Sequence, residues 1–224
     1  MIKIKFPAKR TKKEIEKFFR KNSLDFFIKS SKGKNKTINQ LIVKPPLIPQ
    51  LADLYRLYEF IKLNKRTTVL EFGSGWSSLI INLALYKLKT KYLKDVKKLR
   101  RNNPFELFLL ENSKKYLNIS KNRIIKFNKL LNKKNIPKVH YCYSQIEMTT
   151  FKDLISTQYK KLPLCSPDFI YLDGPDQFNI KKNVNGISTR HKDMMPMVSQ
   201  LSLFFSSRYC RQCLTLPSSL ARCM

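Results

Sequence analysis

Short apolar segments rich in β-branched and aromatic residues recur along the chain, separated by longer amphipathic segments. Four of them have the length and composition of buried strands: 67–72, 104–112, 138–145 and 167–176. Strands that alternate with helices indicate βαβ units and a parallel sheet. Because crossover connections are right-handed, we expect a doubly wound, Rossmann-like α/β fold with helix layers on both faces of the sheet.

The segments between these strands have the residue spacing of helices. A single apolar stripe predicts a helix directly before the first strand: Leu51, Leu54, Leu57, Tyr58 and Ile61. The pattern also predicts helices over 76–88, 113–135 and 149–161, a charged helix or insertion over 89–103, and an exposed loop over 31–38.

Composition divides the chain into three regions. Residues 1–44 are rich in Lys and include a helical pattern at Ile15, Phe18 and Phe19, so we expect a basic helical extension before a domain over 45–200. Residues 201–224 contain no Lys, Asn or acid but three of the five cysteines. A small Cys-containing tail is one interpretation, and we favour a frameshifted or truncated end that leaves out the last strands of the sheet.

The chain is strongly basic, with 45 Lys and Arg against 15 acidic residues and a formal charge of +30. Such a charge predicts salt-sensitive, non-specific binding to polyanions. The lysines are spread evenly among many Asn and Ile, which favours compositional drift over a dedicated nucleic-acid surface. No apolar segment has the length of a signal-peptide core or a membrane span, and we expect a cytoplasmic location.

Two of the five glycines lie one residue apart in the segment VLEFGSGWSSL, residues 69–79. Gly73 and Gly75 directly follow the first predicted strand, where a glycine permits a sharp turn and lets a ligand approach the backbone amides of the next helix. A dinucleotide-binding G-x-G-x-x-G turn would need glycine at Ser78, which weakens that interpretation.

The acidic residue and G-x-G turn after a V-L-x strand resemble the first motif of class I S-adenosylmethionine-dependent methyltransferases. Where many members have a third glycine, this chain has Ser77. The resemblance covers about residues 45–200. It implies that the amino-acid end of the cofactor is held by the segment of this motif: Glu71, Gly73, Ser74, Gly75 and Trp76.

The resemblance also assigns roles at the ends of the other strands. It implies that Glu111 binds the ribose hydroxyls, that Ser144 or Gln145 lies near the adenine, and that Asp173 faces the methyl group and its acceptor. All of these residues follow strand ends, where parallel sheets bind ligands. The alternative interpretation makes Glu71 and Asp173 helix N-caps and Glu111 a solvated surface acid.

The segment after the fourth strand bears on the methyl acceptor. It reads Asp173-Gly174-Pro175-Asp176 rather than the Asn/Asp-Pro-Pro-aromatic motif of base N-methyltransferases, and is more similar to O-methyltransferases that act on small molecules or sugars. An O-methyl transfer needs a proton acceptor, and the catalytic candidates are Asp173, Asp176 and His191. His191 is equally compatible with a loop histidine paired with Asp193, and the need for a metal stays open.

Two functions from other classes remain as alternatives. The charge is compatible with a polyanion- or RNA-binding protein that has a vestigial cofactor site, or with an RNA methyltransferase. A dehydrogenase is the third choice.

Overall fold

A computed structural model describes residues 4–34, 47–99, 101–190 and 198–200, and the backbone alone of 36–38 and 42–44. His191 and the tail over 201–224 lie outside these residues. The helices are α1 (Lys12–Lys21), α2 (Asp25–Ser31), α3 (Leu51–Leu63), α4 (Trp76–Val96) and α5 (Lys114–Asn128). The strands are β1 (Lys36–Ile38), β2 (Ile42–Lys44), β3 (Thr68–Phe72), β4 (Glu106–Glu111), β5 (Lys138–Tyr143), β6 (Ile146–Phe151), β7 (Leu154–Tyr159) and β8 (Phe169–Leu172).

The centre of the fold is a parallel sheet with the strand order β5-β4-β3-β8. All four strands were predicted, and the α/β class with a mostly parallel sheet is confirmed. Every residue of β3 is buried, as expected for a central strand. From β3 the chain moves outward to β4 and β5, and then crosses back to place β8 on the other side of β3. The topological switch point therefore lies between β3 and β8.

Different kinds of structure cover the two faces of the sheet. Apolar residues of α3, α4 and α5 pack in one core with Val69, Leu107 and Phe169. The opposite face carries Leu70 and Phe108, and in the described part of the chain it is covered by the β6–β7 hairpin and by Ile180 and Val198. The expectation of helices on both faces is therefore wrong for the described residues.

The helix predicted over 149–161 is in fact most of the antiparallel β6–β7 hairpin. Its two turn residues, Lys152 and Asp153, have φ of 49° and 61°. Positive φ at both central positions is the geometry of the type I′ turn, whose twist matches that of the two strands. The alternate residues Ile146 and Met148 of β6 are buried against the sheet, which fixes the register of the hairpin.

The N-terminal helices belong to the same apolar core as the sheet. Helix α1 starts at a capping box between Thr11 and Glu14 and buries Ile15 and Phe19. Helix α2, which the pattern did not predict, buries Phe27. Residues 36–38 and 42–44 form a small antiparallel pair where part of an exposed loop was expected.

Candidate functional site

The candidate site lies at the carboxyl edge of the sheet, the edge at which β3, β4, β5 and β8 end. Here the loops after β3 and β8 are in direct contact across the switch point. Gly73 has φ of +96°, and a Cβ there would lie 2.8 Å from the carbonyl carbon and oxygen of Asp173. A Cβ on Gly75 would lie 2.8 Å from Asp173 Oδ2. Both glycines thus allow the two loops to approach each other closely. The packing of the fold is therefore a reason for glycine at these positions.

Glu71, Ser77 and Asp173 form a cluster between the two loops, in which Glu71 and Ser77 are buried and Asp173 is half-buried. Ser77 Oγ lies 2.5 Å from Glu71 Oε1 and 2.7 Å from Asp173 Oδ2. Glu71 is fully buried, and its second oxygen, Oε2, has no hydrogen-bond partner among the described residues. Ser77, a departure from the glycine of the resembling motif, is therefore the residue that joins the two acids.

The geometry of this cluster requires one carboxyl proton. A serine hydroxyl has a single hydrogen, so it donates to only one of two carboxylates, and the other contact needs a proton on the acid. Burial, and then the charge of Asp173, raises the pKa of Glu71 well above its usual range. Burial also raises the pKa of Asp173 to about 6, against the opposing bond from Ser77. The pair of Glu71 and Asp173 therefore holds one proton between them, and the stronger burial of Glu71 favours that acid as its site.

Glu111, the last residue of β4, is a second buried acid at this edge, with an exposed fraction of 2%. Ser74 Oγ donates to its Oε2 at 2.8 Å, and the Ser113 amide donates to its Oε1 at 2.8 Å. Burial raises the pKa of Glu111 to about 7, although these hydrogen bonds favour the ionised form. Glu111 is therefore not the solvated acid of the alternative interpretation, and Ser74 already contacts it.

Ser144 and Gln145 connect the sheet to the hairpin. The Ser144 amide donates to the Glu111 carbonyl oxygen at 3.0 Å, and Ser144 Oγ accepts from the Lys161 amide at 2.9 Å. The Gln145 carbonyl oxygen accepts from the Lys160 amide at 2.8 Å. Ser144 thus contacts the main chain of Glu111, and the two residues place the open end of the hairpin at the carboxyl edge. That one of them lies near an adenine stays a prediction.

Asp176 interacts mainly within its own loop. Its carboxyl group accepts from the Phe178 amide and from the Asn179 side chain. Asp176 thereby caps a short 3-10 helix over Gln177–Asn179. Its main chain forms a reciprocal pair with the Asn112 side chain, in which both bonds are 3.0 Å long. Of the three catalytic candidates, Asp173 is the described residue whose carboxyl group lies at the switch point.

Packing contacts hold the Trp76 side chain apart from Glu71 and Asp173. Its Nε1 donates to the Leu47 carbonyl oxygen at 2.9 Å, and its ring centroid lies 4.9 Å from that of Phe27. The Arg123 guanidinium lies 3.8 Å from the Trp76 centroid and donates to the Gly75 carbonyl oxygen at 3.0 Å. Burial lowers the pKa of Arg123 to about 10. Arg123 thus orders the turn, a contact between α5 and α4 that no sequence motif predicted.

Metal-binding and membrane-spanning features are both missing from the described ranges. No group of three or more His, Cys, Asp or Glu side chains is arranged to hold a metal ion there. None of the described helices is long and apolar enough to span a bilayer.

Comparisons of the chain with protein-family models, with curated proteins and with solved structures give no match in any of the three. The function proposed below therefore rests on the site geometry and on the motif after β3.

Proposed function

We propose that the protein is an S-adenosylmethionine-dependent methyltransferase that methylates a hydroxyl group of a small molecule or sugar. The observation that carries this proposal is the set of acids at the switch point: Glu71, Glu111 and Asp173. In a chain of charge +30, no described Lys or Arg forms an ion pair with any of them.

Buried carboxyl groups without a cationic partner favour a cationic ligand. Desolvated acids are costly unless an opposite charge or hydrogen-bond donors compensate. S-adenosylmethionine brings an ammonium group and a sulfonium group against one carboxylate, so it is a net cation, and its ribose brings two hydroxyl donors for Glu111. A dinucleotide would bring an anionic pyrophosphate to the same acids, so the charge of the site disfavours a dehydrogenase.

The residues at the switch point also suit a methyl transfer to oxygen. The bound cofactor would supply an electrophilic methyl group on sulfur, and a C–O bond would form as the C–S bond breaks. Asp173 would accept the proton of the attacking hydroxyl, since its pKa of about 6 leaves it mostly ionised at neutral pH. Ser77 holds this carboxylate in place through its hydrogen bond.

Calorimetric titration with S-adenosylhomocysteine at moderate salt tests the proposal. We expect micromolar binding that Glu111→Ala weakens at least tenfold. The matched control is Glu106→Ala, which removes an acid from the other end of the same strand, where it pairs with His140. Absence of binding by the unmodified protein would sink the proposal, as would equal binding by the two variants.

The second candidate is a polyanion-binding protein, favoured by the charge of +30. Binding of an unrelated RNA, measured by fluorescence anisotropy at several salt concentrations, would fall steeply with salt in that case. Strong RNA binding without any S-adenosylhomocysteine binding would favour this candidate over the methyltransferase.

A further inference from the structure

Tyr159 lies at the carboxyl edge although it belongs to the hairpin. It is the last residue of β7 and pairs with Ile146, the first residue of β6. Its ring centroid is 5.7 Å from that of Phe72, the last residue of β3. The residue has an exposed fraction of 1%. Its side chain is therefore enclosed next to the end of the central strand.

The main chain of Tyr159 is fixed by one side chain. The Tyr159 amide donates to Gln200 Oε1 at 2.8 Å, and Gln200 Nε2 donates to the Tyr159 carbonyl oxygen at 2.6 Å. Gln200 is itself buried. This reciprocal pair, together with the packing on Phe72, holds the tyrosine ring in one position.

The hydroxyl group of Tyr159 is buried and has no hydrogen-bond partner among the described residues. Burial raises the pKa of Tyr159 well above its usual range, and the nearby charges of Glu111 and Asp176 raise it further. The hydroxyl is therefore a neutral donor that interacts electrostatically with Glu111 and Asp176 but has no hydrogen bond to either. A buried polar group without a hydrogen bond is unfavourable until a partner supplies one.

We propose that Tyr159 donates a hydrogen bond to the same sugar hydroxyl of the bound ligand that donates to Glu111, which rests on the methyltransferase function proposed above. A hydroxyl group both donates and accepts, so it can bridge a carboxylate and a phenol. Tyr159 is thus a ligand-binding residue supplied by the hairpin, and it selects a nucleoside with an intact ribose.

The test compares S-adenosylhomocysteine with its 2′-deoxy and 3′-deoxy derivatives, titrated against the unmodified protein and Tyr159→Phe. We expect Tyr159→Phe to bind S-adenosylhomocysteine about tenfold more weakly, about 1.4 kcal/mol. For the deoxy derivative that lacks the bridging hydroxyl, the two proteins should bind equally. The melting temperature should stay the same or rise, because the variant keeps the ring and loses only an unpaired hydroxyl.

The control is Tyr58→Phe, a buried tyrosine of α3 in the helix layer, which should bind all three ligands like the unmodified protein. Equal affinity of Tyr159→Phe and the unmodified protein for S-adenosylhomocysteine would overturn the inference and indicate that the ligand does not contact the Tyr159 hydroxyl. An equal loss for all three ligands would also overturn it. If the unmodified protein binds none of them, the proposed function fails and this inference fails with it.

Discussion

Two buried acids at opposite ends of the sheet have contrasting surroundings. At the amino edge, Asp168 accepts from the amides of Thr67 and Thr68 and from the Thr67 hydroxyl, at 2.9–3.0 Å, and it pairs with Arg101 at 3.0 Å. At the carboxyl edge, Glu71 contacts Ser77 through one oxygen, and its other oxygen has no partner among the described residues.

The contrast separates an acid whose partners stabilise the fold from one to which the proposed function gives a ligand. Asp168 has both oxygens satisfied and joins the start of β8 to the start of β3. Glu71 is also buried, but its second oxygen lacks such partners among the described residues. A buried carboxyl group without partners is unfavourable for folding and is typical of functional sites. The following experiments test this difference, starting with the largest expected effect.

Replacing Asp168 should give the largest loss of stability. Asp168→Ala leaves the Thr67 and Thr68 amides and the Arg101 guanidinium without their acceptor, and we expect a loss of about 3 kcal/mol in the free energy of unfolding. Urea denaturation followed by the fluorescence of Trp76 measures it. The control, Asp95→Ala, removes an exposed acid near the end of α4 and should cost less than about 0.5 kcal/mol. Similar midpoints for the two variants would contradict the role given to Asp168.

The loop contact at the switch point predicts the next largest effect. Gly73→Ala combines a positive φ with a Cβ 2.8 Å from the Asp173 main chain, so we expect a loss of about 2–3 kcal/mol. Gly186→Ala is the matched control, because Gly186 has φ of +78° and no atom within 4 Å of its Cβ position. It should cost about 1 kcal/mol from backbone strain alone. Equal losses would show that the loops yield and that the contact is unimportant.

The raised pKa values of the carboxyl-edge acids predict how stability depends on pH. Asp173 and Glu111 have pKa values of about 6 and 7, above the value of about 4 in an unfolded chain. Folding therefore favours their protonated forms, and this stabilisation is complete below about pH 4 and lost as the pH rises through 6 and 7. We expect the melting temperature to fall between pH 5 and 8.

Glu147, on β6 of the hairpin, changes stability with pH in the opposite direction. Lys160 and Lys182 lower the pKa of Glu147 to about 2, so its stabilisation is present above about pH 4 and is lost towards pH 2. Stability should consequently reach a maximum near pH 4. Glu111→Gln should flatten the decline between pH 5 and 8, and an unchanged slope in that variant would show that Glu111 does not titrate in this range.

The smallest effect on stability is expected at Glu71. Glu71→Gln keeps the shape of the neutral side chain and removes only its capacity to ionise, so the free energy of unfolding should change by less than about 1 kcal/mol at pH 7. The same variant should bind S-adenosylhomocysteine at least tenfold more weakly. A large loss of stability with unchanged affinity would give Glu71 the structural role of Asp168.

The parallel sheet and the position of its acids were predictable because both depend on local patterns. Apolar strands such as 67–72 are visible in the sequence, and residues that directly follow parallel strands must meet at one edge. That reasoning placed Glu71, Glu111 and Asp173 at the carboxyl edge. The contact of Glu71 and Asp173 through Ser77 was not predictable from the motif, in which this serine is only a departure from glycine.

The hairpin was missed for a physical reason. Phe151, Leu154 and Ile155 have the three- and four-residue spacing of a helix, and the turn residues Lys152 and Asp153 include no glycine or asparagine to indicate a hairpin. The contact of Tyr159 with Phe72 joins segments far apart in the chain, which no periodicity encodes. Sequence patterns thus predicted the three acids and Ser74, but not the hydroxyl groups of Ser77 and Tyr159.

We propose that the ammonium group and the ribose hydroxyls of a nucleoside ligand bind to Glu71, Glu111 and Asp173 in their ionised forms. Calorimetric titration with S-adenosylhomocysteine at pH 6.5, in two buffers of different ionisation enthalpy, measures the protons released on binding. Because Glu111 and the pair of Glu71 and Asp173 hold protons near this pH, we predict binding with release of roughly half a proton or more. Absence of binding, or binding that takes up protons or releases none, would contradict the account.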